Sequence, residues 1–157
     1  MRTRTRYIAE GAMIAALYVV LTYISMIFGL DKGAIQCRLS EALTVLPVYF
    51  PSAVPGLFVG CIISNILTGC AVWDIVFGSL ATLIAAIITS KIKEHIYLAP
   101  FPAIIANTIV VPPVLAYVYH VETALPIIAL TVFAGELISC GVLGTILLYG
   151  LKKHKKY

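Results

Sequence analysis

Charge is what this sequence has least of. Only 11% of its 157 residues are Asp, Glu, Lys or Arg, and seven are acidic, against 61% apolar residues. With a mean hydropathy of +1.03, that excludes an ordinary soluble domain and implies an integral membrane protein. A GxxxxGK[ST] loop is missing, which excludes ATP hydrolysis by the P-loop route. GxSxG and HExxH are missing as well, so neither a serine-hydrolase elbow nor a zinc-protease helix is expected. Cysteine is sparse: Cys37, Cys61, Cys70 and Cys140 form no CxxC pair and have no histidine at metal-ligand spacing, so no metal or redox site is expected. Cysteine then serves as a small apolar residue. His95, His120 and His154 fall at helix ends or tails, a poor setting for a buried acid or base. The net charge of +4 comes from helix ends and is no nucleic-acid signal. No long polar linker or internal repeat is present, and the chain reads as one transmembrane domain, 1–157.

What is there is a series of apolar segments, roughly 8–28, 41–51, 53–69, 75–90, 100–119 and 124–149. A membrane-crossing helix needs about 20 residues, so six helices account for about 120. The first run is too long for a typical signal-peptide core and lacks a small-residue cleavage site, so it reads as a retained helix. The second is short, with Pro47, Pro51 and Pro55 in and around it. Proline removes a backbone donor, and irregular backbone at membrane depth survives only packed against protein or lining a cavity.

Basic residues set the expected topology. Arg2, Arg4 and Arg6 precede the first segment, Lys91 and Lys93 follow the fourth, and Lys152, Lys153, Lys155 and Lys156 follow the sixth. These are nine of the eleven Lys and Arg residues. Six spans put all three clusters on one side, as the positive-inside rule requires; five would split them. The expected fold is therefore an all-α bundle of six transmembrane helices with both termini cytoplasmic, in the cell membrane. Lys32 and Arg38 fall on the outer side with Asp31, Asp74 and Glu122. Gly11, Ala12, Ala15 and Ala16 give the first helix a small-residue face, and Gly56 and Gly60 form a GxxxG. Both suit close helix approach, within the bundle or against a partner.

Few polar residues lie within the apolar segments or at their outer ends, and in a bilayer such residues are functional candidates. Arg38 and Glu41 stand three apart, on one face if a helix has begun, with Ser40 as a candidate N-cap. Asn65, Asp74, Asn107 and Glu136 complete the set. Asp74 suits a helix start as a cap as well as a ligand, and Glu136 is the most deeply placed acid. Phe58, Trp73 and Phe77 offer stacking faces. A small polar heterocycle suits a pocket with few polar groups in apolar walls; the plainer alternative is that Arg38 and Glu41 only neutralise each other.

The run Gln36-Cys37-Arg38-Leu39-Ser40-Glu41-Ala42-Leu43-Thr44 resembles a hallmark of the QueT family of queuosine-precursor transporters. So do Pro55-Gly56-Leu57-Phe58-Val59-Gly60-Cys61 with Asn65, the run Asp74-Ile75-Val76-Phe77-Gly78-Ser79-Leu80-Ala81-Thr82-Leu83, and Gly135-Glu136-Leu137, in order and spacing. That family is similar to the S-components, the substrate-binding subunits, of energy-coupling-factor (ECF) importers. The resemblance implies no enzyme but a six-helix subunit that captures a 7-deazaguanine, queuine or its aminomethyl or cyano precursor, outside the cell. It implies a transmembrane T-component and two cytoplasmic ATPases as partners, with ATP used by those chains and no cofactor in this one. It implies docking through Ala12 and Ala16, and substrate contacts from Arg38, Glu41, Asn65, Asp74, Phe77, Asn107 and Glu136. Glu41 or Glu136 would accept the guanine-edge N–H donors, Arg38 or Asn65 would meet the carbonyl, and Asp74 would favour an aminomethyl cation. The alternative is a stand-alone proton-coupled transporter with Glu136 as the coupling carboxylate.

Overall fold

The computed structural model describes residues 2–30 and 37–154. Asp31, Lys32 and Gln36, and Lys155 and Lys156 after the last helix, lie outside the described residues. Every regular element among the described residues is helical. Helix α1 runs Arg2–Ile27, a long apolar run free of proline. It ends in a Schellman motif: Gly29 takes a φ of 66°, its N–H bonds Met26 O, and the Leu30 N–H bonds Ser25 O. Only glycine adopts that backbone without a Cβ penalty.

The short second segment is a 3-10 helix, Leu39–Val48, with Pro47 inside it. Residues 40–48 are all buried, which satisfies the requirement that irregular backbone at membrane depth be covered by protein. Ser40 does not cap it: Arg38 holds the cap position in extended conformation, and the Ser40 hydroxyl instead accepts from Thr22 Oγ1 at 2.9 Å. Helix α2 is Ala53–Leu67, with Pro55 in its first turn, where a missing N–H does no harm. Helices α3 (Val72–Lys91) and α4 (Phe101–Tyr117) follow. Helix α5 (Leu125–Glu136), a π-helical stretch (Leu137–Gly144) and α6 (Thr145–His154) follow one another directly.

Among the described residues, four helical stretches are long and apolar enough to cross a membrane: Arg4–Ile27, Val72–Lys91, Ile96–Tyr117 and Leu125–Lys153. The 3-10 helix and α2 are shorter. At about 2.0 and 1.5 Å per residue they reach roughly 20 and 22 Å, less than a bilayer core of about 30 Å. All six apolar segments thus become helical, but the proline-rich region from 47 to 55 divides its length between two short elements.

Glycine decides how the first half packs. A Cβ on Gly56 would stand 2.5 Å from the Gly11 carbonyl oxygen, and one on Gly60 would stand 2.9 Å from Tyr18 Cβ. The GxxxG face therefore serves the α1–α2 crossing. Gly11 and Ala15 are buried in it, whereas Ala12 and Ala16 stay exposed. Gly144 does the same for the π stretch, since its Cβ would meet Val45 of the 3-10 helix at 2.9 Å. The main core gathers Tyr18, Leu43, Leu46, Leu57 and Ala86 between α1, the 3-10 helix, α2 and α3. Outward faces carry exposed Met13, Val20, Ile84, Ile109 and Leu130, the surface expected of helices in lipid.

Candidate binding site

The 3-10 helix carries Glu41 into the middle of the bundle. Glu41 lies in its first turn and is 2% exposed. The Tyr18 hydroxyl, from α1, donates to Glu41 Oε1. Asn107 Nδ2, from α4, donates to Glu41 Oε2 at 3.3 Å and to Glu136 Oε1 at 2.9 Å. The Cys140 thiol, one turn on in the π stretch, donates to Glu136 Oε2 at 3.1 Å. One amide therefore stands between two buried carboxylates brought in by different elements. Glu136 is the last residue of α5, roughly 17 Å along the rod from its start at helical rise, and the switch to π geometry begins immediately after it. π segments inside helices recur at functional sites.

Arg38 does not pair with Glu41 among the described residues; its Nη1 reaches Asn65 Oδ1 at 3.5 Å. The extended backbone at Arg38 breaks the helix-face relation that three-residue spacing suggested. Asn65 is fully buried near the end of α2, and its Nδ2 lies 3.6 Å from Cys61 Sγ. Asp74 is the third residue of α3, whose N-cap is Ala71, so it is a first-turn carboxylate at the positive end of the helix and not the N-cap itself. It is 6% exposed. Tyr119, past the end of α4, donates to Asp74 Oδ2 at 3.2 Å and accepts from the Ala71 N–H at 2.9 Å. Partial desolvation, with the Asp74 carboxylate alongside, pushes the Tyr119 phenol up to about 12, so it remains a donor at neutral pH.

These groups line one cavity. Its walls are Arg38, Glu41, Asp74, Asn107 and Glu136, completed by Cys61, Gly78, Thr82, Val111 and Val132. It is narrow, with about 30 Å³ open to the centre of a water molecule. Three acids and one guanidinium share these walls, and polar groups this enclosed act strongly on any charged occupant. Glu41, Glu136 and Cys140 also bring ligand atoms within 4.8 Å of one another, a donor set of the kind zinc accepts. Each of those three side chains already has the hydrogen-bond partners given above.

Of the sequence candidates, Arg38, Glu41, Asp74, Asn107 and Glu136 come together, and Asn65 stands behind Arg38. Phe77 lies elsewhere: it is 44% exposed, stacks on Trp73 at 5.9 Å between ring centroids, and lines an apolar groove with Val110, Pro113 and Tyr117. Ala12 lines a separate apolar groove with Tyr7, Ile8, Gly11, Ala15, Pro55, Gly56 and Val59. Ala16, one turn further, is exposed. Tyr18, Cys140, Thr82 and Tyr119 were missed. Tyr18 had a signal: Gly11, Ile14, Ala15, Tyr18, Thr22 and Ser25 form the buried stripe of α1 at helical spacing, and a hydroxyl on a buried stripe needs a partner.

A curated relative, the queuosine precursor transporter QueT of Lactococcus lactis subsp. cremoris (strain MG1363), is 35% identical over 83 residues, 53% of this chain and 48% of that protein. The match thus spans about half of that relative's length. No solved structure matches the chain. The model of the QueT transporter family matches residues 8–153, which include every residue of the cavity. This multi-pass membrane protein belongs to the QueT transporter family.

Proposed function

We propose that the chain is the substrate-capturing subunit of an ECF-type importer and that it binds a 7-deazaguanine, queuine or its aminomethyl or cyano precursor. The observation that carries this reading is the Asn107 amide held between Glu41 and Glu136. A guanine edge offers adjacent N–H donors of the same kind and would compete for the same carboxylate oxygens. Arg38 supplies a donor for the ring carbonyl. Asp74 adds negative charge, which suits the cation of an aminomethyl form and gives no advantage to a neutral cyano group. The related Lactococcus protein is named for a queuosine precursor, which is consistent with this ligand class. A bicyclic base is larger than the present cavity, so entry requires side chains at its mouth to swing aside.

In this reading six helices cross or enter the membrane and both termini are cytoplasmic. The small-residue groove around Gly11 and Ala12 faces a transmembrane T-component, and two ATPases on that component supply the energy. The capture site then lies at the extracellular side.

A thermal-shift screen of the purified protein tests the reading. Queuine and its two precursors should raise the melting temperature, since a ligand that binds only the folded state stabilises it, and guanine should do so less. No shift with any deazaguanine would refute it. A second reading, proton-coupled transport, draws on the same two buried carboxylates. It predicts uptake by liposomes containing this chain alone under a proton gradient, whereas an ECF subunit transports only with its ATPases.

A further inference from the structure

We propose that Tyr119 is a positioning residue: its phenol fastens the α4–α5 connection to Asp74 and to the α2–α3 turn, closing one mouth of the polar cavity and aiming the carboxylate inward. The inference rests on the capture-site reading. The two oxygens of Asp74 have different surroundings. Oδ2 is taken by Tyr119, whereas Oδ1 lies 3.5 Å from where a Cβ on Gly78 would sit, a place also 3.5 Å from Asn65 Nδ2. Gly78 lines the cavity, so the absent side chain leaves Oδ1 open on the cavity side. Tyr119 also accepts from the Ala71 N–H, and so links the start of α3 to a loop that follows α4. That loop is pinned: the Tyr119 N–H bonds Val114 O and the Val121 N–H bonds Leu115 O. Between them His120 holds a φ of 51°, a backbone region that non-glycine residues seldom occupy. Tyr119 is 41% exposed, so water can compete for both bonds and the latch can open.

Tyr119→Phe keeps the ring and removes both bonds. Hydrogen exchange in the full-length protein should show the Ala71 amide exchanging about tenfold faster, the loss of roughly one hydrogen bond. Trp73, the only tryptophan in the chain and the neighbour of Asp74, reports ligand exit by its fluorescence. With the aminomethyl 7-deazaguanine as probe, the off-rate should rise several-fold. The loss of affinity should vanish when Asp74→Asn is already present, because Tyr119 acts through that carboxylate. Unchanged exchange at Ala71, or an equal loss of affinity with and without Asp74, would overturn the inference. If the wild-type protein binds no deazaguanine, the capture reading falls, and the exchange measurement still judges the latch.

Discussion

Asn107 has two carboxylates to serve and one NH2 group with which to serve them. Replacing it with leucine leaves Glu41 and Glu136 facing each other with one shared donor fewer. A buried acceptor deprived of its partner costs about 1–3 kcal/mol, more where it is charged, so Asn107→Leu should lower the melting temperature measurably. Asn107→Asp replaces the donor amide with a third acid and should lower it further. Tyr18→Phe is a milder test at the same centre. It removes one donor to Glu41 and keeps the ring, so it should weaken deazaguanine binding several-fold in a titration without dispersing the core. At this scale the sequence was informative about polar groups and poor about their pairing. Glu41, Asn107 and Glu136 were conspicuous because charge and amide are rare in such a chain. That Arg38 turns to Asn65 could not be read, because it depends on extended backbone at one residue. Tyr119 was invisible for a similar reason: a loop tyrosine carries no periodic signal, and its partner Asp74 lies 45 residues away.

The elements place these side chains, and glycine and proline place the elements. Gly56 touches Gly11 across the α1–α2 crossing, so Gly56→Val puts carbon where a backbone carbonyl stands. Overpacking of this kind costs about 1–3 kcal/mol or more, and the variant should be expressed poorly or melt early. Ala12→Leu lies on the exposed side of the same helix. On the proposed importer reading, it should leave the melting temperature nearly unchanged and abolish co-purification with a T-component. The small-residue face of α1, a single feature in the sequence, is thus divided by the fold into Gly11 and Ala15 inside and Ala12 and Ala16 outside. The prolines marked the irregular region correctly. They did not disclose a ten-residue 3-10 helix, whose Val45 packs closely on Gly144, a contact between distant parts of the chain that no local pattern reports.

For the whole molecule, hydropathy showed a helical membrane protein, and basic clusters suggested which ends share a side. Lys91, Lys93, Lys152 and Lys153 are all exposed, as charged residues at the membrane surface should be. On the proposed topology, single cysteines introduced at positions 4, 93 and 153 should react with an impermeant thiol reagent only in inverted vesicles, provided the native cysteines are replaced. Reaction of any one of them in intact cells would break the six-span topology. The 3-10 helix buries Glu41 inside the bundle, where it shares the Asn107 amide with Glu136. That arrangement is what makes a closed polar site in a chain with so little charge.

The central claim is that Glu41, with Glu136 and Asn107, forms the floor of a 7-deazaguanine site. Isothermal titration of the purified protein with the aminomethyl 7-deazaguanine tests it most directly, in wild type and Glu41→Gln. The account predicts sub-micromolar affinity for the wild type and a loss of at least about tenfold, or 1.4 kcal/mol, in the variant. Equal affinity in the two proteins would contradict it.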